Sequence, residues 1–381
     1  MRLLPLFVFW GLWFLNYSTR ICFSPLLPLV EDSLHLSHGE SGGLFTSLSV
    51  GYSLALLISG RFASEWGHKR TVAIGFVCTG LVFVGLQWVD SYITFHLLVF
   101  LMGIAAGTYL PAILPILTGT YEGRHWGKAI GFHDSAASLS ILLIPIFMVF
   151  GLHFLAWRRV LLILGGACFL LPVLFWKVSI EPNREAGGQR LSILDLLRKK
   201  STWITGLLWI VSSGSSSGLY SVLPLYLVKE RGIDFNLANS LFGFSRIGGV
   251  FISILIGFLI DRFGHRRMLT LSILATGLST IFLSLAVSAP VILVSLFLQA
   301  TLSIAFFPIG FTVLSKLTTP SERALTTGLT VAIGVVFGSG IVPGLLGFTA
   351  DHFSFQVGIL GLGVLTAFSS LAVRCLGKET R

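Results

Sequence analysis

The chain has 381 residues, of which 54% are hydrophobic and only 11% are charged, and its mean hydropathy is +0.88. In a soluble domain about a quarter of the residues are charged, so this composition excludes an ordinary soluble protein. Uncharged apolar runs long enough to cross a bilayer as helices recur from one end of the sequence to the other. The sequence therefore predicts an all-α membrane protein.

Twelve apolar stretches, each bounded by charges or turn residues, are the predicted membrane spans. In chain order they are 3–29, 41–60, 71–89, 93–117, 128–150, 159–178, 202–227, 236–260, 268–288, 290–315, 325–348 and 353–376. The first stretch is too long for the apolar part of a signal peptide, and no small-residue cleavage site follows it. We therefore expect it to remain as the first helix.

The net charge of +10 is interpreted from where the basic residues lie in the sequence. If the N-terminus is inside, 20 of the 26 Lys and Arg residues fall in segments on the cytoplasmic side. The positive-inside rule then predicts a multi-pass protein of the cell (inner or plasma) membrane with both termini in the cytoplasm. No loop is long enough to form a basic surface that reads nucleic acid, so we expect no nucleic-acid partner. The four cysteines show no paired spacing, so we also expect no disulfide and no metal site.

An internal repeat relates the two halves of the sequence at a constant offset of 197 residues. Gly60, Gly67, His68 and Arg70 correspond to Gly257, Gly264, His265 and Arg267, Pro111 corresponds to Pro308, and Gly131 corresponds to Gly328. Six helices return a chain to its starting side, so we expect two six-helix bundles of the same orientation, related by a pseudo-two-fold axis along the membrane normal. The predicted bundles are residues 1–178 and 201–381. Residues 179–200 form a cytoplasmic linker with a short interfacial helix.

The repeated loop carries a resemblance to a known family. Residues 257–267, GFLIDRFGHRR, fit the signature G-x-x-x-D-R-x-G-x-R-R of the major facilitator superfamily at every specified position. The first copy, GRFASEWGHKR, keeps both glycines and the basic end but has Ser64 and Glu65 where the signature has Asp-Arg. The resemblance implies a transporter whose two bundles rock to give alternating access. The candidate cytoplasmic gating residues are Gly60, Gly67, Arg70, Gly257, Asp261, Arg262, Gly264 and Arg267.

The gating motif has a physical interpretation and a simpler alternative. Glycines permit close helix approach and a tight turn, and Asp261 can pair with charges at neighbouring helix ends. The alternative is that these residues serve only membrane topology and tight packing. Neither interpretation makes the motif a substrate site.

Three charged residues lie in the middle of predicted spans: Arg20, Arg246 and Asp134. An ionised side chain inside the bilayer costs several kcal/mol, so each is a candidate functional residue. Arg20 and Arg246 both lie about 14 Å from the outer ends of their helices at 1.5 Å per residue. Two guanidinium groups at one level, facing each other across the pseudo-two-fold axis, would form a fork for a carboxylate or phosphate. Alternatively, one or both arginines pair with Asp134 or a backbone carbonyl and only fix helix positions.

The first helix permits a narrower comparison. Asn16, Tyr17, Arg20 and Ser24 match the N-Y-x-D-R-x-x-x-S signature of the anion:cation symporter branch, but Thr19 replaces its aspartate. Arg246 is similar to the substrate arginine of the monocarboxylate and oxalate transporter branches.

The resemblance also implies a cavity lined by helices 1, 4, 7 and 10. Tyr109, Tyr220 and Phe307 are then expected to contact substrate beside Asn16 and Tyr17. The serine-rich segment 212–217 of helix 7 is typical of a bent or partly unwound cavity helix.

His133 and Asp134 form the titratable pair inside a predicted helix. A buried carboxyl near cationic groups can bind and release a proton as its surroundings change. We therefore hypothesise that Asp134, assisted by His133, couples transport to protons in place of the missing helix 1 aspartate. A role as a charge partner for a basic residue is the alternative.

These features together favour a secondary active transporter of a small carboxylate-bearing organic anion, in symport with protons. The alternatives are an anion exchanger without proton coupling, an efflux pump for drugs or metabolites, and a receptor or scaffold that binds without transporting. The sequence has no nucleophile-base set and no phosphate loop, so we expect neither an enzyme nor a cofactor. The expected partners are the anion, protons and the lipid bilayer, and the expected state is a monomer.

Overall fold

A computed structural model describes residues 3–122, 125–182, 196–318 and 320–376. These residues are almost entirely helical, and no strand occurs among them. The chain divides into two compact units: the first comprises Met1–Leu36 and Ser47–Ala186, and the second comprises Ser37–Thr46 and Gly187–Arg381. Most of the predicted linker 179–200, namely residues 183–195, lies outside the described residues.

The helices follow the predicted spans in chain order. Those of the first half are α1 (Leu3–Ile21), α2 (Phe23–Leu34), α3 (His38–Trp66), α4 (His68–Gly85), α5 (Tyr92–Gly107), α6 (Tyr109–Thr120), α7 (Trp126–Leu152) and α8 (Trp157–Val178). Those of the second half are α9 (Lys200–Ser213), α10 (Leu219–Leu225), α11 (Phe235–Ser245), α12 (Ile247–Phe263), α13 (His265–Leu285), α14 (Ala289–Ile304), α15 (Phe306–Leu317), α16 (Pro320–Ile333), α17 (Val342–His352) and α18 (Phe355–Ser369). π-Helical segments at Gly214–Gly218, Tyr226–Glu230 and Gly334–Ile341 connect some of them.

Three helix breaks have a common cause in the sequence. The breaks at Cys22, Thr108 and Ala305 each fall three residues before a proline, at 25, 111 and 308. Proline has no backbone N–H, and its ring clashes with the carbonyl four residues earlier, so the helix cannot continue regularly through that turn. The breaks divide the first, fourth and tenth predicted spans into two helices each.

The 197-residue repeat is also present in the helix boundaries. The pairs α4 and α13, α5 and α14, and α6 and α15 begin at residues 68 and 265, 92 and 289, and 109 and 306. Each difference is 197. Gly67 and Gly264, which precede α4 and α13, have φ angles of +104° and +80°. Only glycine adopts this backbone region without strain, so the paired glycines make equivalent turns.

Within the described residues, nine helical segments are long and apolar enough to cross a membrane, or ten if the bent pair 235–253 and 255–263 counts as one span. The remaining predicted spans are interrupted. The first is broken at Cys22, and the seventh alternates between α- and π-helix from residue 200 to residue 230. Other helices are longer than their apolar cores: the second was predicted over 41–60, but α3 covers His38–Trp66. Backbone hydrogen bonding continues past the hydrocarbon region, whereas hydropathy detects only that region.

The π-helix at Gly214–Gly218 has the sequence GSSSG. It lies in the segment that the sequence predicts to be bent or partly unwound. The structure keeps this segment helical but widens it, because each backbone hydrogen bond spans one residue more than in an α-helix. A wider turn releases carbonyl groups from their usual hydrogen bonds, and such turns occur frequently at functional sites.

Glycines of α5 hold the backbone of α3 close to it inside the first unit. A Cβ atom added at Gly103 would lie 2.2 Å from the carbonyl oxygen of Leu48, and one added at Gly107 would lie 2.3 Å from the carbonyl oxygen of Tyr52. No real Cβ makes such a contact with backbone, so these two glycines are required for the packing. This contact fixes the position of Tyr52.

We expect Gly107→Ala to lower thermal stability in detergent, because the methyl group would push α3 away from α5. Overpacking of this kind costs about 1–3 kcal/mol. The matched control is Gly166→Ala in α8, where an added Cβ meets no described atom within 4 Å. Thermal unfolding of both purified variants tests the prediction, and equal midpoints would contradict it.

Candidate functional site

Arg20, near the end of α1, is surrounded by aromatic rings of the first unit. Its guanidinium carbon lies 4.4 Å from the ring centre of Tyr17, 4.4 Å from that of Tyr52 and 5.6 Å from that of Trp13. Tyr17 and Trp13 precede Arg20 by three and seven residues, so they share its helix face. Tyr52 comes from α3. The three rings stabilise a cation through their negative faces.

The Arg20 side chain forms no hydrogen bond or ion pair with another described residue, and its buried Nε has no acceptor. The sequence left open whether Arg20 pairs with Asp134, and the structure shows no such pair within the described residues. Asn16, one turn earlier, donates from Nδ2 to the carbonyl of Ala106 at 3.0 Å, while its buried Oδ1 has no donor. Burying a cation without a hydrogen-bond partner is costly, so this arrangement favours an anionic ligand.

Tyr109 and His133 form a hydrogen-bonded pair beneath the ring of Trp13. The Tyr109 hydroxyl donates to the carbonyl of Phe9 at 3.1 Å, so its oxygen accepts from His133 Nε2 at 3.0 Å. The Trp13 ring is nearly parallel to both rings, at 8° and 13°, with centroid distances of 5.5 and 5.6 Å. The hydrogen-bond network therefore places the ring proton of neutral His133 on Nε2. It leaves His133 Nδ1 as the nitrogen that can bind a proton.

Asp134 lies on a polar, exposed face of α7. Gly131, Ser135 and Ser138 share this exposure, while the next residue back, His133, is buried at 2% exposure. A strip of small and polar residues on a membrane-spanning helix is expected to face water or protein rather than lipid.

Arg246 occupies the break between α11 and α12 and is held by its own unit. Its Nη2 donates to the carbonyl of Ser216 at 2.7 Å, and its guanidinium carbon lies 3.5 Å from the ring centre of Tyr220. Ser216 belongs to the π-helix at Gly214–Gly218. Arg246 therefore binds a carbonyl group of the widened turn, as one of the sequence-based alternatives allowed.

The two arginines occupy related positions with their roles exchanged. In the first unit, Arg20 comes from α1 and the facing Tyr52 from α3. In the second unit, Tyr220 comes from α10, and Arg246 follows α11. Subtracting the repeat offset of 197 places Arg246 in α3 and Tyr220 at the start of α2. Each unit thus has an arginine–tyrosine contact between its first and second predicted spans. The arginine comes from the first span in the first unit and from the second span in the second unit.

We expect Arg246→Gln to lower thermal stability, because it removes a charged hydrogen bond to the Ser216 carbonyl and the contact with Tyr220. Loss of a charged hydrogen bond costs about 1.5–3 kcal/mol. The control is Arg159→Gln, at an exposed position near the start of α8. Thermal unfolding of the ligand-free protein measures the difference, and an unchanged midpoint for Arg246→Gln would contradict the structural role.

Two of the predicted substrate contacts lie inside their units. Tyr109 is 1% exposed and Tyr220 is 2% exposed, and the Tyr220 hydroxyl donates to the carbonyl of Leu296 at 3.1 Å. Neither ring is presented to a ligand, because the hydroxyl of each satisfies a backbone carbonyl of a neighbouring helix. Phe307 is partly buried and packs edge-on against Trp209 at 5.6 Å. Tyr17 is partly exposed beside Arg20.

In the first copy of the gating motif, the start of α4 is bound by an acidic residue that the sequence did not single out. Glu181, just after α8, accepts hydrogen bonds from the backbone N–H groups of His68 and Lys69 at the start of α4. Lys69 in turn donates to the carbonyls of Trp176 and Ser179, at 3.0 and 2.9 Å. An acid at a helix N-terminus and a base at a helix C-terminus both stabilise the helix dipoles. These contacts fasten α4 to the end of α8.

The second copy of the motif lines an open cleft of about 790 Å³. Its lining includes Asp261, Gly264, Arg267 and Lys316. The close helix approach expected of the motif is not seen at Gly257, where an added Cβ would meet no described atom within 4 Å. The tight turn expected of the motif is present at both Gly67 and Gly264.

Sequence reasoning missed Tyr52 and Glu181 as partners in these contacts. Tyr52 follows Gly51 inside an apolar helix, and a tyrosine there signals a polar group at depth. Nothing in the local sequence indicates that it faces Arg20, which is 32 residues away. Glu181 follows the last apolar residues of α8, where a carboxylate is near the membrane surface, but its distant partners are set by the fold.

The sequence pattern of the Major Facilitator Superfamily matches residues 9–254 and 205–381. A probable sulfoacetate transporter, SauU, of Cupriavidus necator is 23% identical over 93% of this chain and 90% of its own length. A putative niacin/nicotinamide transporter, NiaP, of Bacillus subtilis is 24% identical over 93% of this chain and 92% of its own length. The crystal structure of a bacterial homologue of the human lysosomal transporter Spinster, inward-facing and unoccupied, has a TM-score of 0.83 and 16% identity, with coverage of 99% and 98%.

Proposed function

The chain belongs to the major facilitator superfamily of multi-pass membrane transporters, and we propose that it transports a small organic anion bearing a carboxylate, in symport with protons. It is a transporter and not an enzyme. We take the two halves as residues 1–178 and 201–381, joined by residues 179–200, with both termini in the cytoplasm. Transport then follows the alternating access of the family.

One observation carries the proposal: Arg20 is a partly buried cation with three aromatic neighbours and no hydrogen bond to a described residue. Rings cover the flat face of a guanidinium and leave its in-plane N–H groups available. Those groups match the two oxygens of a carboxylate in a bidentate hydrogen bond. Arg20 is therefore the proposed anion-binding residue of the first half, with Asn16 beside it.

Arg246 is the proposed anion-binding residue of the second half. Its contact with the Ser216 carbonyl already uses one side of the guanidinium. We propose that an anion draws Arg246 away from this carbonyl and so relaxes the π-helix. Substrate binding would thereby change the shape of the seventh span, which is a way to connect binding with a conformational step.

Asp134 and His133 are the proposed proton-binding residues. Asp134 is on the polar face of α7 next to His133, whose ring stacks on Trp13, and the Trp13 ring also lies near Arg20. His133 keeps Nδ1 for a proton while Nε2 binds Tyr109. A proton on either residue would alter the local charge near the arginine, so proton binding and anion binding would depend on one another.

One relative is named for an anionic substrate, since sulfoacetate carries both a carboxylate and a sulfonate. The other is named for niacin, which carries a carboxylate on a pyridine ring, and for nicotinamide, which is uncharged. At 23% and 24% identity over nearly the whole chain, these names guide the choice of substrates to test.

Uptake into proteoliposomes tests the proposal. Labelled lactate, oxalate, sugar acids, phosphate esters and nicotinate are supplied with and without an inward proton gradient, with empty liposomes as the control. We expect at least one carboxylate to be accumulated and the gradient to increase its rate. Transport restricted to neutral or cationic amphipathic compounds would contradict the proposal and favour efflux. Equal rates with and without the gradient would favour anion exchange.

A further inference from the structure

We propose that the transported anion is an aromatic monocarboxylate whose ring packs against Trp10, Phe14 and Tyr17 while its carboxylate binds Arg20. This inference rests on the proposed function and narrows it to a substrate class. It depends on the arrangement of rings along one face of α1.

An aromatic ladder, formed by Trp10, Phe14 and Tyr17, leads along α1 to Arg20. Successive members are separated by four, three and three residues, so they lie on one face of the helix. All four side chains are partly exposed. The rings of Trp10 and Phe14 are stacked at 5.6 Å with an angle of 15°. The ladder is thus a row of accessible aromatic rings along one helix face that ends at a cation.

The ladder borders the polar strip of α7, which indicates that it does not face lipid. Trp10 Nε1 donates to the hydroxyl of Ser135 at 3.1 Å. Ser135 is next to Asp134 on the exposed face of α7, and Arg20 stands at the other end of the ladder. A lipid-facing surface would not combine an arginine, an aspartate and a serine. The exposed rings are therefore available to a solute.

The position of the cation sets how a carboxylate would approach. Arg20 lies over the rings of Tyr17 and Tyr52, so its in-plane N–H groups remain for the ligand. A carboxylate attached directly to a ring keeps the ring close to the guanidinium. The ring then meets Tyr17 and Phe14, where offset or edge-on contacts between aromatic rings are favourable.

The same surface disfavours two other classes of anion. Sugar acids carry several hydroxyl groups, and the ring faces of the ladder offer them no hydrogen bonds, so those groups would lose hydration without compensation. Dicarboxylates would place a second negative charge against the rings of the ladder, which hold no cation to pair with it, and an unpaired charge that loses water is unfavourable. One carboxylate on an apolar ring fits the surface.

Three probes of similar size separate the contributions of charge and ring. Benzoate has both the carboxylate and the planar ring, cyclohexanecarboxylate has the carboxylate on a puckered ring, and benzamide has the ring without charge. We expect benzoate to be transported with a KM about three- to tenfold lower than that of cyclohexanecarboxylate, the size of an aromatic pair contact. Benzamide should not compete with benzoate.

Two variants test where the preference arises. We expect Phe14→Leu to reduce the benzoate to cyclohexanecarboxylate ratio towards one, because it removes the ring contact and keeps an apolar side chain. Phe150→Leu is the matched control, since Phe150 is 65% exposed near the end of α7 and packs against Phe154 rather than against the ladder. The ratio is taken within one preparation, so it does not depend on how much of each variant folds.

The outcomes separate this inference from the function on which it rests. Equal KM values for the two acids, or an unchanged ratio in Phe14→Leu, would overturn the aromatic assignment and leave carboxylate transport intact. Failure to transport any carboxylate would overturn both. Competition by benzamide as strong as that by cyclohexanecarboxylate would show that the ring is bound without Arg20, which also overturns the inference.

Discussion

Arg20→Gln is expected to raise the KM for the transported carboxylate by about 10- to 100-fold, the value of one charged hydrogen bond. Glutamine keeps a polar side chain but is shorter, uncharged and unable to form the bidentate charged contact. Arg20→Lys should give an intermediate KM, because lysine keeps the positive charge but lacks the planar group that forms two parallel hydrogen bonds. Initial rates of uptake into proteoliposomes, measured over a range of substrate concentrations, give the KM of each variant.

A stability measurement distinguishes binding from a structural role for Arg20. The ligand-free Arg20→Gln protein should unfold close to the wild-type temperature, because the loss of the ring contacts is offset by the removal of a partly buried cation that has no hydrogen bond to a described residue. Only the wild type should be further stabilised by substrate. Arg159→Gln, at an exposed arginine of α8, serves as the control. A normal KM in Arg20→Gln, or a strongly lowered unfolding temperature without substrate, would refute the assignment.

Asp134→Asn is expected to abolish the stimulation of uptake by an inward proton gradient. The amide has nearly the same shape as the carboxylic acid but cannot release a proton, so the cycle loses its coupling step. Exchange of labelled for unlabelled substrate at equal pH on both sides should continue, because exchange does not require net proton movement. The two assays are made on the same proteoliposomes, which corrects for the amount of active protein.

The control for Asp134→Asn is Asp90→Asn. Asp90 is exposed and pairs with Arg158 at 3.0 Å in the loop before α5, where an ion pair in solvent contributes little. This variant should keep both the gradient response and exchange. A full gradient response in Asp134→Asn would exclude Asp134 as the coupling residue. Loss of both activities would instead indicate that Asp134 is needed to bind the anion or to complete the cycle.

Arg20 and Arg246 show how much of the candidate site can be predicted from the sequence. Their position inside apolar helices is visible in the sequence, and the cost of a buried charge is enough to select them. Their difference is not visible: Arg246 donates to the Ser216 carbonyl, while Arg20 is placed among rings. That difference depends on the rotation of each helix and on local changes in helix geometry, such as the π-helix that contains Ser216.

Tyr109 and Tyr220 show the same limit for the candidate site. Both lie in the helices that the family resemblance assigns to a cavity, yet both are almost fully buried. A tyrosine has an apolar ring and a polar end, so it serves equally well as a cavity wall or as a packed residue whose hydroxyl binds a carbonyl. Hydropathy and spacing do not distinguish these uses, because they contain no information on the neighbouring helix.

The sequence by itself determined the all-helical membrane architecture and the 197-residue repeat. Hydropathy, proline geometry and glycine turns are local properties, so they act within a few residues. Only the tertiary structure decided that Tyr52 covers Arg20 and that Glu181 caps α4. These contacts join residues far apart in the chain, and a small rotation of either helix would break them.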